Sequence, residues 1–286
     1  MVFETGESTP RTRMAEARLD AALADRGIAR SRTHAARLIT DGSVTVDGRM
    51  VIKPSARVGA DQVLALTAID HYVSRAAHKL LAGLDAFGVP VAGRVALDIG
   101  ASTGGFSQVL LERGAESVVA LDVGHGQLDP LIGNNPAATV IEGFNARELT
   151  VSSLDAAAGH AVRCSIVVAD VSFISLTTVL PALVSTVGTD ADYILLIKPQ
   201  FEVGRTGIKE GIVHDPGLRA DAISDVLWAA WDLGLPTAGL ISSPILGAAG
   251  NHEYLVWFSA SSGSNPTQWR ERILALSRPV TKGSAG

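Results

Sequence analysis

The chain has 286 residues, 47% of them apolar, and a formal net charge of −5. That much apolar material supplies one large core or two unequal ones and excludes a globally disordered chain. The single cysteine, Cys164, excludes an internal disulfide, and apolar runs such as SIVVAD and YILLI fall far short of the roughly 20 residues that a membrane-spanning helix needs.

Residues 1–13 are polar, rich in Gly, Ser, Thr and Pro, and read as a disordered tail without the apolar stretch of a secretory signal. Met14 directly precedes the first periodic segment and reads as an alternative start. The expected location is the cytoplasm. From Arg18 the pattern is helical, with Leu19, Ala22 and Leu23 on one face, and Gly27 ends the helix. Ser31 caps a second helix that turns Ala35, Leu38 and Ile39 inward, and Gly42 closes it. SVTVDG and MVIKPSARV read as two short strands joined by an Asp-Gly turn at Asp47 and Gly48. Two helices and a hairpin of about 45 residues make a domain of marginal stability.

Between Arg11 and Arg57 stand ten Arg or Lys against five Asp or Glu, in a chain that is acidic overall. Asymmetry of this kind points one end of a protein at a polyanion, although charge alone fits a solvated basic surface better. The stretch RLDAALADRGIARSRTHAARLITDGSVTVDG resembles the RNA-binding domain first described in ribosomal protein S-four. It carries Arg-Leu-Asp, Gly, Ser-Arg, Ala, Leu-Ile and Gly-x-Val-x-Val-x-Gly in order. The resemblance implies a basic face that cradles structured RNA, with Arg18, Arg30, Arg32, Arg37 and Lys53 as its contacts. Helix N-termini and Arg side chains both suit phosphate.

Residues 58–72 are read as finishing the last strand and crossing to a second unit. There strand and helix alternate, which argues for a parallel sheet. The strands are RVALDIG, SVVALDV, TVIEG, SIVVAD and YILLIKP; FSQVLLERG, LTTVLPALV and ADAISDVLWAAWDLG are helical. TAGLISSPI and HEYLVWFSA are linked only by LGAAGN, so they pair as a hairpin and one strand runs antiparallel. TQWRERILALSR is a final helix.

The turn LDIGASTGGF lacks the Lys of a phosphate-binding P-loop, and Ser102 stands where the dinucleotide fingerprint needs its second Gly. Asp98 closes the strand before the turn, where a carboxylate repels a pyrophosphate and welcomes a cation. S-adenosylmethionine fits, because it carries an ammonium and a sulfonium and no phosphate. The expected cofactor residues are Asp98, Gly100, Ser102, Thr103, Gly104, Gly105 and Phe106. Asp122 follows, 24 positions after Asp98, where an acidic residue binds ribose hydroxyls. Asn145 and Arg147, after the third strand, either frame the adenine or are solvated loop residues.

In sheets of this methyltransferase type the strand order is 3-2-1-4-5-7-6. On that layout Asp170, Lys198 and Glu253 fall on the rim where open α/β sheets bind ligands, and Lys79 lies on the helix before the first strand. Lys79, Asp170, Lys198 and Glu253 resemble the Lys-Asp-Lys-Glu set of ribose 2′-O-methyltransferases of the FtsJ type. The words VSRAAHKL, DIGASTGGF, ADVSFISL, KPQFEVG and GNHEYLVW look like those of one branch, the TlyA family, from Arg18 to about Ser259. Its members carry haemolysin names and methylate cytidine ribose in large-subunit rRNA. Longer members with a complete N-terminal domain also methylate small-subunit rRNA, and both N-terminal helices are present here.

The resemblance implies a Rossmann-like α/β methyltransferase with a seven-stranded mixed sheet and a small N-terminal α+β RNA-binding domain. The expected divisions are 14–69 for RNA binding, 70–73 as linker, 74–278 for methyl transfer and 279–286 as a disordered tail. The linker reads Asp70-His71-Tyr72-Val73 where some members carry Arg-Ala-Trp-Val, so a gating role of that Arg does not carry over. Lys198 either stabilises the developing oxyanion or accepts the proton of the ribose hydroxyl. Lys79 positions ribose or phosphate. The glycine-rich stretch EVGRTGIKEGIVHDP either closes over substrate or is a static loop. The expected partner is ribosomal RNA or a ribosomal subunit, with no membrane and no metal, and the chain is expected to act as a monomer. A membrane-active haemolysin and a non-catalytic RNA-binding protein are the rival readings.

Overall fold

A computed structural model describes residues 16–40, 42–66, 71–204, 207–247 and 250–278. The tails expected at 1–13 and 279–286, Met14, Asp70 and the side chain of Arg37 lie outside the described residues. The chain divides into two compact units, Met1–Asp70 and His71–Gly286.

The first unit starts with β1 (Ala17–Arg18), α1 (Leu19–Asp25) and α2 (Arg32–Thr40). Leu19, Leu23, Ala35 and Ile39 are fully buried between the helices, and Ser31 Oγ accepts the His34 N–H at the start of α2. Next come β2 (Val44–Val46), β3 (Arg49–Met50), β4 (Arg57–Val58) and β5 (Leu64–Leu66). Thr45 faces Met50 and Val46 faces Arg49, so Asp47 and Gly48 form a two-residue turn, both at positive φ.

MVIKPSARV is not one strand. Only its ends pair: β3 with β2, and β4 with β1. Pro54 between them has no N–H for a ladder. The other neighbour of β2 is β5, in a stretch read as a crossing; three residues are too few to show a period.

The second unit alternates helix and strand through α3 (Ala76–Phe87), β6 (Val95–Ile99), α4 (Gly105–Glu112), β7 (Ser117–Leu121), α5 (Pro130–Gly133) and β8 (Ala138–Ile141). It continues with α6 (Val151–Ala158), β9 (Ile166–Ala169), α7 (Leu176–Val187), β10 (Asp192–Ile197), α8 (Pro199–Glu202) and α9 (Pro216–Asp232). β11 (Thr237–Ser242), β12 (Tyr254–Phe258) and α10 (Arg270–Ser277) complete it.

The sheet order is β8-β7-β6-β9-β10-β12-β11, with β12 antiparallel to both neighbours. Counted along the sheet's own strands this is 3-2-1-4-5-7-6, as expected. Both faces are covered, which is why the central strands are apolar runs without alternation. Ala96, Val118, Ile194 and Leu196 face Leu80, Leu84, Phe106 and Val109 of α3 and α4. Leu97, Val119, Tyr193 and Leu195 face Leu154, Leu180 and Ile223 of α6, α7 and α9.

Candidate active site

Strands β6, β9 and β10 run parallel, so their carboxyl ends share one edge. The turn Gly100–Gly105 leaves β6 there. Gly100 has φ +79°, and a Cβ added to it would stand 2.8 Å from the Asp170 carbonyl oxygen. Two strand exits therefore touch backbone to backbone, which only a glycine allows. Asp122 staples the turn from the side: its Oδ2 accepts Ser102 N–H at 2.8 Å and its Oδ1 accepts Gly124 N–H at 2.7 Å.

A pocket opens on this edge. Gly100, Ala101, Ser102, Thr103, Gly105 and Phe106 line one side; Asp170, Ser172 and Lys198 line the other, with Ser74 just before α3 and Ala76 at its start. Asp98 lies beneath the turn, fully buried. Ser107 Oγ donates to its Oδ2 at 2.6 Å, while Oδ1 has no partner among the described residues. Burial pushes its carboxyl up to about 7. A buried carboxylate with one oxygen unengaged is poised for a cation.

The four expected rim residues come together. Lys198 Nζ lies 2.5 Å from Asp170 Oδ1, Lys79 Nζ 3.8 Å from Asp170 Oδ2 and 2.6 Å from Glu253 Oε2. Cation and anion alternate along the rim. Lys79, Lys198 and Glu253 are each less than a tenth exposed. Two carboxylates against two ammonium groups leave little net buried charge, the condition under which such a cluster is tolerated. Burial pulls the Asp170 carboxyl up, but Lys198 and then Lys79 outweigh it and hold it below its ordinary value.

The remaining expected residues stand apart. Asn145 is engaged locally: its Oδ1 caps a short turn by accepting Arg147 N–H, and its Nδ2 donates to Glu148. Neither Asn145 nor Asp122 lines the pocket. In the first unit, Asp20 gathers two arginines. Arg18 bonds it with two donors, at 3.0 and 2.8 Å, and Arg32 Nε lies 3.4 Å away. The Arg18 hydrogen bond holds the Asp20 carboxyl down at about 2. Arg30 and Lys53 are exposed.

Sequence reasoning missed four residues here. Ser107 holds Asp98, Ser172 Oγ accepts from Lys198 Nζ at 2.8 Å, and Ser74 lines the pocket. Phe173 is 90% exposed at φ +64°, with its ring 5.2 Å from that of Phe201. Ser172 and Phe173 stood inside the word ADVSF and Ser74 inside VSRAAHKL; Ser107 had no such signal. The long loop after α8 is gripped from the segment that leads into β12. Asn251, buried, accepts from Val213 N–H and donates to the Gly211 carbonyl.

The sheet order, the glycine turn and the Lys-Asp-Lys-Glu rim define an open α/β methyltransferase. The profile of the FtsJ-like methyltransferases matches residues 72–260, and that of the S4 domain matches residues 17–64. The chain belongs to the TlyA branch of the FtsJ-like methyltransferase family. It is 49% identical to the "16S/23S rRNA (cytidine-2′-O)-methyltransferase TlyA" of Mycobacterium tuberculosis, over 84% of this chain and 89% of the relative. It is 37% identical to "Hemolysin A" of Brachyspira hyodysenteriae, over 84% of this chain and 99% of the relative. A solved haemolysin-named structure from Streptococcus thermophilus superposes with a TM-score of 0.71 at 33% identity, covering 92% of this chain and 96% of that one. Among the described residues, no helix is long and apolar enough to cross a membrane.

Proposed function

We propose that this protein transfers a methyl group from S-adenosylmethionine to the ribose 2′-hydroxyl of cytidine in ribosomal RNA, in both the small and the large subunit. The observation that carries this reading is the connected Lys198–Asp170–Lys79–Glu253 chain on the rim, whose Lys198 and Asp170 share one pocket with the glycine turn. Identity to a relative named for both rRNAs supports the dual substrate. Such a substrate places the protein in the cytoplasm.

The pocket fits the methyl donor. The glycine turn lines the pocket through Gly100–Thr103 and Gly105, and Asp98 beneath that turn keeps one carboxylate oxygen unengaged, a group that favours a cation. When bound, S-adenosylmethionine supplies an electrophilic methyl on a sulfonium. Asp122 is the residue for its ribose hydroxyls.

The ribose oxygen takes the methyl as the methyl's bond to sulfur breaks and leaves a neutral thioether, and the hydroxyl proton passes late to water. Lys198, on the pocket wall, stabilises the negative charge that develops on that oxygen. Asp170 fixes Lys198 on one side and draws Lys79 in on the other. Glu253 holds Lys79, which orients the ribose or its phosphate. The exposed ring of Phe173 offers a face on which a nucleobase can stack. Arg18, Arg30, Arg32, Arg37 and Lys53 of the first unit supply contacts to rRNA phosphate.

The test is transfer of labelled methyl from S-adenosylmethionine to isolated ribosomal subunits, with the product mapped as resistance of one ribose linkage to alkali. Wild type is expected to label cytidine ribose in both subunits, and Lys198→Ala to fall about a hundred- to a thousandfold. Label on a base, or equal rates for the two proteins, overturns the reading.

A further inference from the structure

The segments that leave β9 and β10 run side by side and touch at successive places. At one end Lys198 meets Asp170 and Ser172. Next, the rings of Phe173 and Phe201 lie 5.2 Å apart. At the far end Glu202 takes hold of the start of α7. Its Oε1 accepts Leu176 N–H at 2.9 Å, and its Oε2 accepts from Ser175 Oγ at 2.5 Å. Ser175 Oγ in turn accepts Thr177 N–H.

Three features make this more than a helix cap. Glu202 stands one helical turn after Lys198, across the short helix α8, so the two side chains belong to one rigid step. Both carboxylate oxygens are engaged by donors of the opposite segment. The held segment is strained, because Phe173 is a bulky residue at φ +64°, a conformation that persists only where surrounding contacts impose it. Burial pushes the Glu202 carboxyl above its ordinary value, while the N-terminal end of α7 favours its charge.

We propose that Glu202 is a positioning residue for methyl transfer: by tying the start of α7 to the turn after Lys198, it holds Asp170 and Ser172 within reach of Lys198. Glu202 does not line the pocket, so it acts through the tetrad and touches no reacting atom. This rests on the catalytic reading of the tetrad given above.

The experiment uses the full chain and intact subunits, with kcat, the KM for subunits, the calorimetric Kd for S-adenosylmethionine and thermal unfolding measured for wild type, Glu202→Ala, Glu202→Gln and Ser175→Ala. The wild-type rate alone reports on the proposed function, and the ratios report on Glu202. Glu202→Ala is expected to lower kcat about ten- to a hundredfold, as misplacement of catalytic groups by about an ångström does. KM and Kd should stay within about threefold, as expected when only the step after binding suffers. Glu202→Gln keeps an oxygen for Leu176 N–H and should recover most of the rate. Should Glu202→Ala not fold, Ser175→Ala decides, with kcat expected to fall at constant KM and Kd. An unchanged kcat in the deciding variant overturns the proposal. So does a glutamine variant as slow as the alanine one, or a rate loss matched by equal losses in KM and Kd.

Discussion

The Asp170 carboxylate and the Lys198 ammonium approach to 2.5 Å, the shortest of the three ion pairs on the rim. They come from just beyond the ends of adjacent parallel strands, so the sheet brings them to one edge and the contacts of the segments after it complete their approach. Lys79 reaches the other oxygen of Asp170 from helix α3 at 3.8 Å. One carboxylate thus separates two cations.

Asp170→Asn should therefore cost more than one contact. It leaves Lys79 and Lys198 buried side by side with only Glu253 for balance. Breaking a buried pair from one side costs about 3–5 kcal/mol. Urea unfolding should show a loss of this size, and methyl transfer should disappear. Because its pKa is depressed in the folded state, the stabilisation is present above the ordinary carboxylate range. It is lost only as pH falls through the depressed value. An unfolding midpoint within error of wild type at neutral pH would show that the charges are not coupled.

The sheet order was legible because buried parallel strands leave uninterrupted apolar runs, and SIVVAD and YILLI are of that kind. Asp170, Lys198 and Glu253 were legible because each ends or begins an apolar strand, Lys79 only through its flanking word, and the words around all four resemble a known family. Their pairing was not legible. That Lys79 takes Glu253 more closely than Asp170 depends on where α3 lies over the sheet, and no residue spacing encodes it. The contacts of Ser107 and of Glu202, which stood in the word KPQFEVG, were not legible for a similar reason, since a single polar residue in a helix or a turn carries no period. In the first unit β5 is three residues long, shorter than any window in which alternation can be counted.

Asp98 should make S-adenosylmethionine binding depend on pH. Burial raises its carboxyl to about 7, so in the free protein it is protonated below that value. A cationic ligand favours the ionised form. Affinity measured by calorimetry should be constant above about pH 8 and fall toward tenfold per unit below about pH 7. Asp98→Asn should bind more weakly and show no such slope. For the ligand-free fold the sign reverses: the raised value means stability present below the ordinary aspartate range and lost as pH rises toward about 7. A wild-type affinity that is flat from pH 6 to 8 would remove the cation-facing role of Asp98.

Replacing Arg30, Arg32 and Arg37 together should weaken subunit binding and reduce its dependence on salt. Each lost phosphate contact should lower the slope of log affinity against log salt by roughly 0.7–0.9. S-adenosylmethionine binding, which uses residues of the second unit, should not change. Asp20→Asn offers a complement. It frees Arg18 and Arg32 from the carboxylate that gathers them, so it should alter subunit affinity without removing a positive charge. A salt slope unchanged in the triple variant would tell against an electrostatic role for this face.

Gly100→Ala should damage activity far more than it damages the fold. The residue sits at φ +79°, where a side chain costs about 1–2 kcal/mol. The added Cβ would also lie 2.8 Å from the Asp170 carbonyl oxygen and 3.1 Å from its carbonyl carbon. Both are backbone atoms and cannot rotate aside, so the exit of β6 and the exit of β9 must move apart. That movement widens the pocket between the glycine turn and the tetrad and shifts Asp170 relative to Lys198. Gly88→Ala is the control. It has φ +67°, ends α3, and its added Cβ would meet nothing within 4 Å, so it carries the strain without the collision. Gly88→Ala should lose about 1–2 kcal/mol in urea, and Gly100→Ala should lose that and the cost of the collision besides. Only Gly100→Ala should bind S-adenosylmethionine poorly and methylate subunits slowly. Comparable activity in the two variants would show that the contact between Gly100 and Asp170 does not set the geometry of the site.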